Sequence, residues 1–125
     1  MLGSSDTFSS FAVDDVEKAR EFYADTLGVK VSDGPMGVLS LDLADGRSVL
    51  VYPKPDFTPA TYTVLNFQVD DVDAAVDDLT GRGIRLERYE GLDQDAKGIS
   101  RSPGAPVIAW FKDPAGNILA VLQPR

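Results

Sequence analysis

Two pairs of adjacent carboxylates, Asp14-Asp15 and Asp70-Asp71, are the groups whose type and spacing first invite a chemical reading. Neighbouring carboxylates can share a proton for acid–base work or hold a divalent cation. Both pairs sit inside the same word, Val-Asp-Asp-Val, at positions 13–16 and again at 69–72, each directly ahead of a helical apolar pattern. Carboxylates placed there accept from the free N–H groups of a first helical turn, so capping accounts for them. The chain has no histidine and no cysteine. This removes the commonest general base near neutral pH, thiolate nucleophiles, thiolate metal sites and disulfides. Tyr52 and the loop carboxylate Asp95 remain as acid–base candidates, but nothing in the sequence pairs either with an orienting partner. No catalytic residue is assigned.

The repeated word also organises the elements. Its two copies are 56 residues apart, and the likeness continues, with Glu17 facing Asp73, Ala19 facing Ala75 and Glu21 facing Asp77. Two copies are too few for a solenoid and predict a paired, pseudo-symmetric domain. In the first copy, alternation predicts a strand over residues 7–13. Asp14 is expected to cap a helix, with Glu17 completing an Asp-x-x-Glu variant of the capping box, and Val16, Ala19, Phe22, Tyr23 and Leu27 form its buried stripe up to Gly28. Strands follow at 29–32, 37–43 and 47–53, separated by Asp33-Gly34-Pro35 and Asp45-Gly46. Residues 54–60 form a Pro-rich linker. The second copy predicts a strand at 62–69, a helix capped by Asp70 and ending at Gly81 or Gly83, and a strand at 84–89. Residues 90–106 form an irregular stretch long enough for a lid or binding loop. A closing hairpin of 107–111 and 117–123 turns at Asp113-Pro114-Ala115-Gly116. The expected class is α+β: one domain, 1–125, made of two βαβββ modules at about 7–53 and 61–123.

The net charge of −8 works against a nucleic-acid partner and favours neutral or cationic small molecules. No segment approaches the length of a membrane span, and the start has no basic region followed by an apolar run. The expectation is a cytoplasmic protein without a membrane partner. The acidic run Asp70, Asp71, Asp73, Asp77 and Asp78 reads as a solvated helix face.

Val13-Asp14-Asp15 leading to Phe22-Tyr23 and Leu27-Gly28, then Val69-Asp70-Asp71 leading to Gly83-Ile84, then residues 110–117 (Trp-Phe-Lys-Asp-Pro-Ala-Gly-Asn), resemble the glyoxalase, bleomycin-resistance and extradiol-dioxygenase superfamily, also called vicinal oxygen chelate. The resemblance covers about residues 7 to 123. It implies paired βαβββ modules whose sheets curl into a cup, and, in metal-using members, a divalent ion held near the start of the first strand and on the last strand of each module. Transferred through the Val-Asp-Asp words and the hairpin glycines Gly46 and Gly116, those positions are Phe8, Leu50, Val64 and Ala120. All four lack lone pairs for a divalent ion, so no metal or other cofactor is expected.

Strand parity places Phe8, Ser10 and Ala12, then Ser48, Leu50 and Tyr52, on the cup face of the first module. In the second it places Val64, Asn66 and Gln68, then Ile118, Ala120 and Leu122. The opposite parity is uniformly apolar and is expected to face the helices. Trp110 points into the cup or serves the core or a dimer interface. The candidate ligand-binding set is therefore Phe8, Ser10, Leu50, Tyr52, Val64, Asn66, Gln68, Trp110, Ala120 and Leu122. The expected function is metal-free binding of a neutral or cationic organic molecule, with antibiotic sequestration as one form of it. The alternative is a lyase, isomerase or dioxygenase of the same superfamily. A homodimer is expected, because open curled sheets leave edges to cover.

Overall fold

In a computed structural model that describes residues 1–124, the chain divides into two compact units, Met1–Pro59 and Ala60–Arg125, with Arg125 outside the described residues. The architecture is α+β, with one sheet in each unit. In the first unit β1 (Ser9–Val13) leads into α1 (Val16–Arg20), which continues as a π-helical turn over Glu21–Thr26. Then come β2 (Lys30–Asp33), β3 (Leu39–Asp42) and β4 (Ser48–Pro53). The sheet order is β1-β4-β3-β2, with β1 parallel to β4 and the other pairs antiparallel. One face is the apolar parity: Phe11, Val13, Leu39, Leu41, Val49 and Val51 are buried with Ala19 and Tyr23 of the helix. Phe11 and Tyr23 meet at 6.0 Å between ring centroids.

The helix caps fall one residue later than expected. Asp15, not Asp14, is the N-cap of α1, accepting from the N–H groups of Glu17 and Lys18. This leaves Glu17 out of any capping box. In the second unit the cap is Asp71, not Asp70, accepting from Ala74 N–H. The valine that follows sets the start: Val72, fully buried, is the first residue of its helix, so the carboxylate just before it takes the cap. The Val72 N–H is itself bonded at 2.8 Å to the Gln123 side-chain oxygen, from the far end of the unit.

The π-helical turn has a local cause. Thirteen residues lead from Asp15 to Gly28, but twelve from Asp71 to Gly83. The helix ends correspond: Val29 N–H bonds to Tyr23 O at 2.8 Å, and Ile84 N–H to Leu79 O at 3.0 Å. Tyr23 and Leu79 are equivalent at the 56-residue offset, whereas Val29 and Ile84 are one residue closer. The additional residue of the first copy is thus taken up as a wider turn inside the helix.

The second unit holds β5 (Thr63–Gln68), α2 (Val72–Gly81), β6 (Val107–Lys112) and β7 (Ile118–Gln123), in sheet order β5-β7-β6. β5 runs parallel to β7, and β6 antiparallel to it. Val72, Val76 and Leu79 of α2 are buried, as are Ala109, Phe111, Leu119 and Val121 of the sheet's apolar parity. The strand expected at 84–89 is not formed. It is reduced to one bridge, Leu86 with Phe111, and a bond from Glu87 N–H to Trp110 O at 2.8 Å. The reason is competition for the β6 edge: Ser100, returning from the long loop, exchanges both backbone bonds with Ile108, at 2.8 and 3.1 Å. The hairpin turn is closed by buried Asp113, whose carboxylate accepts from the N–H groups of Ala115 and Asn117 and from the Asn117 side-chain amide.

Candidate functional site

A register shift in β5 decides what the open face of the second sheet presents. Thr63 pairs with Ile118 and Leu65 with Leu119, so one additional residue, Val64, is accommodated as a bulge. Strict alternation placed Val64 on the cup face. The bulge instead brings Thr63 level with Ile118. Beyond it, Asn66, Ala120 and Trp110 lie in one cross-strand row, and Gln68, Leu122 and Ile108 in the next.

Beside this row is an open hollow of about 230 Å³, lined by Thr61, Tyr62, Thr63, Tyr89, Trp110 and Ile118. Its aromatic wall is a Tyr89–Trp110 pair in edge-to-face contact, with centroids 5.5 Å apart and planes at 82°. Tyr62, 68% exposed, stands at the rim. The Tyr89 hydroxyl is buried and has no hydrogen-bond partner among the described residues. Burial pushes its phenol above the ordinary value, and Glu87 nearby pushes in the same direction.

The long loop holds this wall. Gln94 accepts from the Tyr89 N–H at 2.9 Å and donates to the carbonyls of Glu87 and Gly98, at 3.0 and 2.8 Å. Arg88 donates to the carbonyls of Asp95 and Ala96. Asp95 accepts from the N–H groups of Lys97 and Ile99. Burial raises the Asp95 pKa, but those two N–H groups together with Arg101 outweigh it and hold the carboxyl below its usual range. Arg101 then grips Asp73 of α2 through both carboxylate oxygens, at 2.7 and 2.8 Å, while Lys97 reaches Asp77 at 2.9 Å. The acidic face of α2 is therefore no purely solvated surface: Asp73 and Asp77 tie down residues 97–101, and Asp78 pairs with Arg82 at 3.0 Å.

Of the residues expected to bind ligand, Trp110 lines the hollow. Asn66 and Gln68 are exposed on β5, Ala120 is fully buried between Asn66 and Trp110, and Leu122 is half-buried opposite Gln68. In the first unit Ser10 pairs with Leu50, which pairs onward with Ser40. Tyr52, 37% exposed, lies at the strand end opposite Ala12, and Phe8 is 68% exposed just before β1. Thr61, Tyr62, Thr63 and Tyr89 escaped sequence reasoning. Their signal was a Thr-Tyr-Thr run at a strand start and a tyrosine at the edge of an irregular segment.

The four metal-ligand positions implied by the resemblance do not fit a divalent ion. Phe8, Leu50, Val64 and Ala120 carry no oxygen or nitrogen donor on their side chains. Among the described residues, no three of the types His, Cys, Asp and Glu are grouped so as to hold one. Also among the described residues, no helix is long and apolar enough to cross a membrane.

Comparison with known proteins gives a consistent family. The model of the Glyoxalase/Bleomycin resistance protein/Dioxygenase superfamily matches residues 7–121. The mitochondrial methylmalonyl-CoA epimerase of Mus musculus is 30% identical over 128 residues, spanning 90% of this chain and 68% of that protein. The solved structure of TnmS3, an antibiotic binding protein from Streptomyces sp. CB03234, is 25% identical, covers 98% of both chains and superposes with a TM-score of 0.71. The fosfomycin resistance protein FosX of Listeria monocytogenes shares the fold at 14% identity, covering 98% of this chain and 94% of its own, with a TM-score of 0.72.

Proposed function

From the premise that the chain belongs to the Glyoxalase/Bleomycin resistance protein/Dioxygenase superfamily, we propose that it binds a small organic molecule without a metal ion, in the manner of the family's antibiotic-binding members. The observation that carries this reading is the residue set at the four metal-ligand positions, Phe8, Leu50, Val64 and Ala120, which offers no donor. The aromatic hollow of the second unit supports it, since a few hydroxyls set in an apolar and aromatic wall suit an organic ligand. We place the ligand against Trp110, with Tyr62 and the Thr63 hydroxyl at the rim and Asn66 in the same cross-strand row as Trp110. The other residues of the expected set remain candidates within their own units, Phe8, Ser10, Leu50 and Tyr52 in the first and Val64, Gln68, Ala120 and Leu122 in the second. The two units acting together as one domain, self-association as a homodimer and a cytoplasmic location belong to the same proposal.

The test is a panel of neutral and cationic aromatic compounds followed by Trp110 fluorescence and by thermal shift, with light scattering for the oligomeric state. Binding of at least one compound class, with a raised melting temperature, is the expected result. A panel that moves neither signal removes the reading. The likeness to an epimerase favours a second reading, catalysis within the same superfamily. Elemental analysis of protein purified without chelator separates the two: stoichiometric divalent metal would transfer the chain to the catalytic reading.

A further inference from the structure

A buried hydroxyl without a partner is a standing cost to the free protein and calls for an explanation. Tyr89 carries one, while its ring lines the hollow and packs edge-on against Trp110. Its main chain is pinned on both sides, by Gln94 accepting from its own N–H and by the Leu92 N–H donating to its carbonyl at 3.3 Å. Movement is therefore confined to the side-chain bonds. Rotation about the Tyr89 Cα–Cβ bond would carry the oxygen from its buried position towards the hollow, where a ligand acceptor would satisfy it. Burial and Glu87 keep the phenol protonated at neutral pH, so it meets a ligand as a donor.

The remaining wall limits the ligand further. Thr61, Tyr62, Thr63, Trp110 and Ile118 include no Asp, Glu, Lys or Arg, so neither an anion nor a cation finds a counter-charge among the lining residues, and Glu87 beside Tyr89 works further against an anion. A cavity of roughly 150 Å³ accommodates benzene, so about 230 Å³ suits one or two fused rings. Resting on the binding role above, we propose that the hollow takes an uncharged one- or two-ring aromatic carbonyl compound. Tyr89 is its polar anchor, turning to donate a hydrogen bond to the carbonyl oxygen while Trp110 packs on the ring system.

The probes are 2-acetylnaphthalene, 2-ethylnaphthalene as the same shape without the acceptor, and 2-naphthoate as the charged form. Each is titrated into the 125-residue chain and into its Tyr89→Phe variant while the indole N–H resonance of the single tryptophan, Trp110, is followed. Wild-type protein is expected to prefer the ketone over the hydrocarbon by about tenfold, the worth of one buried hydrogen bond. Tyr89→Phe should bind the two equally, keep its affinity for the hydrocarbon, and melt no lower than wild type when free. Naphthoate should bind at least tenfold more weakly than the ketone. A preference for the ketone that survives in Tyr89→Phe would overturn the anchor while leaving the binding role intact. A lower melting temperature for free Tyr89→Phe would overturn it too, because the hydroxyl would then have a partner without ligand. Tight binding of naphthoate would overturn the uncharged class. If no probe moves the Trp110 signal, the hollow is not the binding site.

Discussion

Replacing Asp113 by alanine tests how the hairpin that carries Trp110 is held. Asp113 is 5% exposed, and its carboxylate accepts from Ala115 N–H at 3.0 Å, Asn117 N–H at 2.9 Å and the Asn117 amide at 3.1 Å. Asn117 is 2% exposed, so its N–H and its amide would each lose a buried bond. At about 1 kcal/mol per bond, the typical net worth of an intramolecular hydrogen bond, losing these bonds costs about 3 kcal/mol. For a chain of 125 residues that is a fall of about 10 °C in melting temperature. Urea unfolding followed through Trp110 is the assay, with Asp113→Ala, Asn117→Ala and the double variant completing a cycle. A coupling of about 1 kcal/mol between the two is expected from their direct side-chain bond. A loss below about 0.5 kcal/mol in Asp113→Ala would refute the reasoning. The matching turn of the first unit is the internal contrast. There Leu43 N–H bonds to Arg47 O at 2.8 Å, as Asp113 bonds to Asn117, but Leu43 brings no acceptor side chain.

Two further outcomes concern the long loop. Gly98 has φ +87°, and a Cβ there would lie 3.1 Å from the Cβ of Leu86. Gly98→Ala should therefore destabilise by about 1–2 kcal/mol, seen as a lower urea midpoint, and an unchanged midpoint would contradict the close approach. Asp95 is held below the usual carboxylate range, so its contribution to stability is complete above the unfolded value of about 3.9 and is lost as the pH falls through the lower folded value. Following the Asp95 carboxyl and the Ile99 amide by NMR during acidification should give one common midpoint below the ordinary value. A midpoint at or above that value would show that the loop bonds do not form.

Local pattern and long-range pairing divide what was legible in the sequence. Every strand whose partner is set by parity and a tight turn was recovered, because Phe11, Val13, Val49 and Val51 fall on one parity and are buried together, and Asp45-Gly46 fits a turn with both φ values positive. The segment 84–89 alternates as well, yet Ser100 takes the place beside Ile108, a competition between residues far apart that no window of sequence contains. The cap moved by one residue because burial of Val72, a tertiary fact, chose between two equivalent aspartates. The candidate site was legible to the level of a face and one residue, Trp110. The bulge at Val64 and the fold of residues 90–100 around Gln94 supplied Thr63 and Tyr89.

The π-helical turn over Glu21–Thr26 changes how residues may be exchanged between the two copies. An insertion placed in a loop would have left both helices superimposable throughout; this one lies inside an element, where the wider turn absorbs it and the helix ends still correspond. A chimera that grafts the second helix into the first unit must keep the 56-residue correspondence as far as Tyr23 and drop to 55 from Gly28 onwards. Deleting one residue between Tyr23 and Gly28 should return the turn to α-helical hydrogen bonding with the fully buried Tyr23 still facing the sheet. The duplicated halves thus carry a built-in frame shift, and any consensus or symmetrised version of the chain has to choose one of the two frames.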